Sequence, residues 1–131
     1  MDTPPGRPDA AALAGDGYAL ALDDAGILAA TIRGVWTRDQ VDALFAALVP
    51  LHSLARQTHG RVLALVRVES VQSPTVALHV RNRMLAIKQP GDRNAIVVGT
   101  MLSKLQIGRL ATTENFGLFT NPAVARAWLL A

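Results

Sequence analysis

Arg61-Val-Leu-Ala-Leu-Val-Arg-Val68 is an apolar run of strand length, and the polar segment Glu69-Ser-Val-Gln-Ser-Pro74 follows it directly. A run with almost no polar alternation suits a strand covered on both faces, as in a sheet flanked by helices. In sheets of that kind, ligand and partner sites tend to lie just beyond the carboxyl ends of the strands. The segment from Glu69 to Pro74 is therefore the first place to look for a site. Its candidate partner- or anion-binding residues are Arg67, Glu69, Ser70 and Ser73. Ser73-Pro74 also has the form of a helix N-cap followed by proline at the first helical position.

Upstream, Met1 to Gly15 is rich in proline, alanine and glycine and is expected to be a disordered lead-in. That leaves residues 16–131 as one domain. Tyr18 to Leu22 reads as a strand with Tyr18, Leu20 and Leu22 on one face. Asp23-Asp-Ala-Gly26 is a turn, and Ile27 to Arg33 resumes as the second arm of a hairpin. Thr37-Arg-Asp-Gln40 has the form of a capping box. Val41, Leu44, Phe45 and Leu48 then share one helical face, and Trp36 is placed to pack back onto Val41. Pro50 is expected to kink or interrupt this helix, which resumes at Leu51 and ends before Gly60.

Downstream, Val76, Val80, Met84 and Ile87 mark a helix running to about Lys88. Gln89 to Arg93 reads as a loop, and Ala95 to Val98 as a buried β-branched strand. A helix over Leu102 to Thr112 follows, then a strand over Asn115 to Phe119. Asn121-Pro122 caps a last helix, with Val124, Ala127, Trp128 and Ala131 assigned to one face. The order β-β-α-β-α-β-α-β-α implies an α/β domain with a mixed sheet that opens with a hairpin and continues in parallel βα units.

The 131 residues fit a single domain, and 50% of them are hydrophobic with aromatics at only 5%, so aliphatic side chains must fill the core. Cysteine is absent, which excludes disulfides, thiolate metal sites and cysteine nucleophiles. Net charge is +3, with 13 basic against 10 acidic residues. Arg81, Arg83, Lys88 and Arg93, joined by Lys104 and Arg109, form no single stripe and lack interleaved aromatics, so nucleic acid is not an expected partner. No apolar stretch approaches the ~20 residues that span a bilayer, and the N-terminus lacks a secretion signal. The expected location is the cytoplasm, without membrane insertion.

Several short pieces together resemble a known family. They are ILAATIRG (27–34), TRDQV (37–41), RVLALV (61–66), NAIVVG (94–99) and the closing FGLFTNPAVARAWL (116–129). In order and spacing they resemble the small bacterial SpoIIAA-like domains, of the STAS/SEC14 type, over about Gly17 to Ala131. The resemblance implies a SpoIIAA-like, STAS-like single domain. It also implies a regulatory or protein-interaction role, as in anti-sigma-factor antagonists switched by phosphorylation of a serine in an Asp-Ser-Ser-Gly-like segment. That segment would fall at Glu69 to Pro74, where the motif is absent, and Arg67 stands where an acidic residue is usual. The SEC14-like side of the resemblance implies instead an apolar, lipid-like ligand between sheet and helices.

The remaining chemistry-bearing residues have structural explanations. Ser73 reads as a cap and Ser70 as a turn residue, while Arg67 and Glu69 are expected to pair at the exposed strand end. His52, His59 and His79 have no carboxylate at metal-ligand spacing. Asp23/Asp24 and Asp39/Asp42 suit a turn and a helix's first turn. No G-x-S-x-G, P-loop or H-E-x-x-H motif is present. The sequence thus points to a non-enzymatic module without metal or cofactor. Its expected partners are another protein, a second copy of the chain, or a small apolar ligand.

Overall fold

The computed structural model describes residues 13–110 and 115–131. A six-stranded sheet runs in strict sequence order, β1 (Leu13–Gly15), β2 (Tyr18–Leu22), β3 (Ile27–Ile32), β4 (Leu63–Val68), β5 (Arg93–Val98) and β6 (Phe116–Phe119). The pairs β1–β2 and β2–β3 are antiparallel, and β3 through β6 are parallel. Four helices connect or close the strands: α1 (Arg38–His59), α2 (Pro74–Ile87), α3 (Met101–Leu110) and α4 (Pro122–Leu130).

The parallel strands advance across the sheet in one direction. Crossovers between parallel strands are right-handed, so successive connections in one direction stack on the same face. Hence α1, α2 and α3 share a face and α4 takes the other. Strand alternation divides the core accordingly. Leu28, Ala30, Ala64 and Leu20 join Val41, Leu44, Phe45 and Leu48 of α1. Ile27, Leu63, Ala95 and Val97 point the opposite way, onto Ala125 and Leu129 of α4.

Local chemistry fixes most boundaries. Asp23 accepts from the Ala25 and Ile27 amides at 2.9 Å, and Gly26 turns at φ 78°, which closes the expected hairpin. Thr37 and Gln40 form the capping box of α1, and Gly60 ends that helix in the left-handed conformation. Trp36 is buried against the same cluster as Val41 and donates its indole N–H to the Arg33 carbonyl at 2.7 Å. Ser73 accepts from the Val76 amide ahead of Pro74, as expected of a cap.

Five expectations are corrected. The supposed lead-in ends inside the sheet, because Leu13–Gly15 pairs with β2 as β1; residues 1–12 lie outside the described residues. Pro50 does not interrupt α1, which is continuous over 22 residues. Ala46, Val49 and Pro50 all face solvent, so the carbonyl that loses its amide partner can be hydrated. β5 begins at Arg93 instead of Ala95, since the Arg93 amide already bonds the Val62 carbonyl. β6 starts one residue late because Asn115 takes a left-handed φ of 66°. The expected end of α3 at Thr112 lies outside the described residues. Finally, α4 buries Ala125 and Leu129 with Trp128, while Val124 is exposed. An almost wholly apolar helix does not mark its own inner face.

One buried ionic knot ties the amino ends of the parallel strands. Asp92 is 2% exposed and receives Arg56 bidentately at 2.7 and 2.9 Å. It also accepts from the Val62 and Gln89 amides at 2.9 Å each. Burial pushes this carboxyl up, but the hydrogen bonds from Arg56, Val62 and Gln89 outweigh it and hold the pKa below the ordinary value. Its contribution to stability is therefore present above the ordinary carboxylate range and is lost as pH falls through the lowered value. Asp92→Ala leaves a half-buried guanidinium and two amides without partners. It is expected to cost about 3–5 kcal/mol in urea unfolding at neutral pH.

Candidate functional site

The residues singled out around the β4–α2 loop do not converge. Arg67 lies between Val66 and Val68, so it projects to the α4 side of the sheet, and it is exposed. Glu69 pairs with Arg33 at 3.1 Å and not with Arg67, because β4 ends at Val68 and Glu69 belongs to the loop beyond it. Both partners are largely exposed, so the pair contributes little. Ser70 accepts from the Gly34 amide at 3.2 Å, and Ser73 caps α2. Glu69, Ser70 and Ser73 build loop structure, while Arg67 stays on the strand.

Gln72, which no motif singled out, organises this end of the molecule. Its side chain accepts from the Trp36 amide at 2.8 Å and donates to the Gly34 carbonyl at 2.8 Å. Its backbone exchanges two bonds with the Gln106 side chain of α3, at 3.1 and 2.6 Å. The connections before α1, before α2 and in α3 are thereby laced together at the carboxyl ends of the strands.

Below that lacing lies a cavity of about 130 Å³. Its floor is β3, β4 and β5, through Ala30, Ala64, Val66 and Ile96; its walls are Phe45 and Leu48 of α1 and Ile107 of α3. Its roof is α2, through Ala77, Val80 and Met84. This helix leans on α1 and α3 and stands off the strands. Two polar contacts hold it there. His79 bonds Asp42 at 2.8 Å, and the Arg83 guanidinium lies over the Phe45 ring at 5.4 Å. The space persists because small side chains face each other across it: Ala30 and Ala64 below, Ala77 above.

The lining is mostly apolar; Gln72 and Gln106 reach it at the strands' carboxyl ends, Arg81 reaches it from α2, and two further polar groups lie toward the strands' amino ends. Asn94, on β5, is 4% exposed, and its backbone amide bonds the Asn115 carbonyl at 2.9 Å. Among the described residues its carboxamide has no hydrogen-bond partner. A buried polar group left so costs roughly 1–3 kcal/mol. His52, one turn before Arg56 on α1, also lines the cavity. Burial lowers its pKa, the Arg56 charge lowers it further, and Asp92 offsets part of this.

The other two histidines have partners of their own: His59 contacts the Ala25 carbonyl at 2.5 Å, and His79 bonds Asp42. No group of three potential metal ligands occurs among the described residues. The basic residues likewise disperse, Arg83 onto Phe45 and Arg93 onto the Trp128 ring and the end of α4. No helix among the described residues is long and apolar enough to cross a membrane. In comparisons with family models, curated proteins and solved structures, the chain has no significant match.

The lowered pKa of His52 has a measurable sign. Below the ordinary value of 6.5 the unfolded chain binds a proton that the folded one resists. Stability contributed by neutral His52 is therefore lost as pH falls from that value toward the lowered one. Denaturant unfolding of wild type between pH 7 and pH 5 is expected to weaken more steeply than that of His52→Gln. Parallel curves would contradict the burial of this ring.

Proposed function

We propose that the chain is a non-enzymatic carrier or sensor of a small apolar molecule, held beneath α2 between the sheet and α1. The observation that carries this reading is the apolar cavity itself. Interiors normally pack to the density of organic crystals, and a void of this size forfeits contacts on every wall. A ligand would restore them. The SEC14-like side of the sequence resemblance leads to the same place. The realised order from β2 onward, β-β-α-β-α-β-α-β-α, supports a SpoIIAA-like, STAS-like reading of the fold.

Ala64→Leu tests the proposal, because it extends a small buried floor residue into the cavity. The variant is expected to fold with stability unchanged or raised by about 0.5–2 kcal/mol, as cavity-filling substitutions do. Benzene titrated into wild type should shift backbone amide resonances of β4, β5 and α2 saturably, and the variant should lose that response. No saturable response in wild type, together with destabilisation by Ala64→Leu, would sink the reading.

A second reading, a regulatory protein-interaction module of the SpoIIAA-like kind, is favoured by the outer face of α3. Met101 and Leu102 are each 68% exposed and Leu105 53%. Exposed apolar side chains grouped on one helix suit a partner or a second copy. If copies associate there, Leu105→Ser shifts the mass measured by light scattering toward the monomer. A wild type that is monomeric at all accessible concentrations would count against self-association.

A further inference from the structure

We infer that the cavity takes a compact, uncharged ligand with an apolar body and one hydrogen-bonding head group, the head lying against the Asn94 carboxamide and the His52 ring. This rests on the apolar-ligand reading and adds to it a size limit and an orientation.

Size comes first. The cavity, about 130 Å³, is close to the roughly 150 Å³ of an engineered protein cavity that accepts benzene. It falls well below the ~300–1,000 Å³ of pockets for drug-sized molecules. A single ring or a short branched chain fits within this space, and a long acyl chain would extend beyond it.

Orientation follows from which polar lining groups are already engaged. At the carboxyl ends of the strands, Gln72 and Gln106 bond to each other and to the segment ahead of α1. At the opposite end, Asn94 of the floor is buried with its carboxamide unpartnered among the described residues, and His52 of α1 also lines the cavity. Both are near Asp92, which directly precedes β5 and whose charge reaches His52. A carboxamide offers two donors and an acceptor from one centre, so it can meet a hydroxyl, a carbonyl or another amide. A charged head is disfavoured, because an ion would lose its hydration against aliphatic walls. Of the cations around the cavity, Arg81 of α2 lines it and is engaged with a partner of its own, and Arg56 is held bidentately by Asp92.

The test uses the full chain and three probes of similar shape, namely toluene, phenol and benzoate, titrated by amide chemical shift. Phenol is expected to bind about tenfold more tightly than toluene, the effect of one well-made hydrogen bond, and benzoate more weakly than either. In Asn94→Leu, which exchanges the amide for hydrocarbon of similar size, the order of phenol and toluene should reverse. The thermal midpoint of that variant should match or exceed wild type; a lower one would mean that the amide serves the fold, and would overturn the assignment. His52→Phe keeps a ring on α1 without touching the strand, and should reduce the phenol preference in the same direction. Equal affinities for phenol and toluene in wild type would overturn the head-group inference and leave the apolar-ligand reading standing. Tighter binding of benzoate would overturn the uncharged head. Failure of all three probes to bind would remove both readings.

Discussion

The handedness of the three parallel crossovers governs most of this molecule. The strands from β3 to β6 advance in one direction, so right-handed connections bring α1, α2 and α3 to the same face. Three helices must then share a surface built by four narrow strands, and the middle one rests on its neighbours instead of on the sheet. The cavity is the consequence of that stacking. The other face carries α4 among the described residues, and its Leu129 and Ala125 pack with Leu63 of β4 and Ala95 and Val97 of β5.

The two ends of the parallel strands are held by different means. At the amino ends a single carboxylate, Asp92, gathers Arg56 from α1 and the amides of Val62 and Gln89, joining three chain segments through one desolvated charge. At the carboxyl ends the fastening is neutral, made by the carboxamides of Gln72 and Gln106. A buried carboxylate contributes to stability only while its partners stay in place, whereas neutral amide pairs carry no comparable desolvation penalty. Between these fastenings the cavity is bounded mainly by aliphatic side chains, with Asn94 and His52 interrupting them near the charged end.

The candidate site lies away from where loop position alone would put it. In open α/β sheets sites tend to lie at the carboxyl ends of the strands, which here means Glu69 through Ser73. Those residues are consumed by capping, by a turn and by a surface ion pair with Arg33. The space that could hold a ligand lies deeper, under α2. Two of its polar residues, Asn94 and His52, come from a strand start and from the second half of a helix. Neither belongs to a spacing motif, and a single asparagine opening a hydrophobic strand carries no signal in sequence. Its meaning depends on whether another element supplies a hydrogen-bond partner.

The sequence by itself determined the alternation of strands and helices after an opening hairpin, and the starts of α1, α2 and α4. Capping boxes, Ser-Pro and Asn-Pro pairs and positive-φ glycines act within a few residues, so their consequences are readable locally. It also determined the buried faces of α1 and α2, where apolar and polar positions separate with helical period. Only the tertiary structure decided the continuity of α1 through Pro50, the inner face of the uniformly apolar α4, the pairing of Leu13–Gly15, and the partners of Glu69 and Asp92. Each depends on which segment arrives opposite, and residues about 36 positions apart meet there, as Arg33 and Glu69 do and as Arg56 and Asp92 do. The cavity belongs to the same class, because an empty volume is a property of how four elements fail to fill the space between them, and no single stretch of chain encodes it.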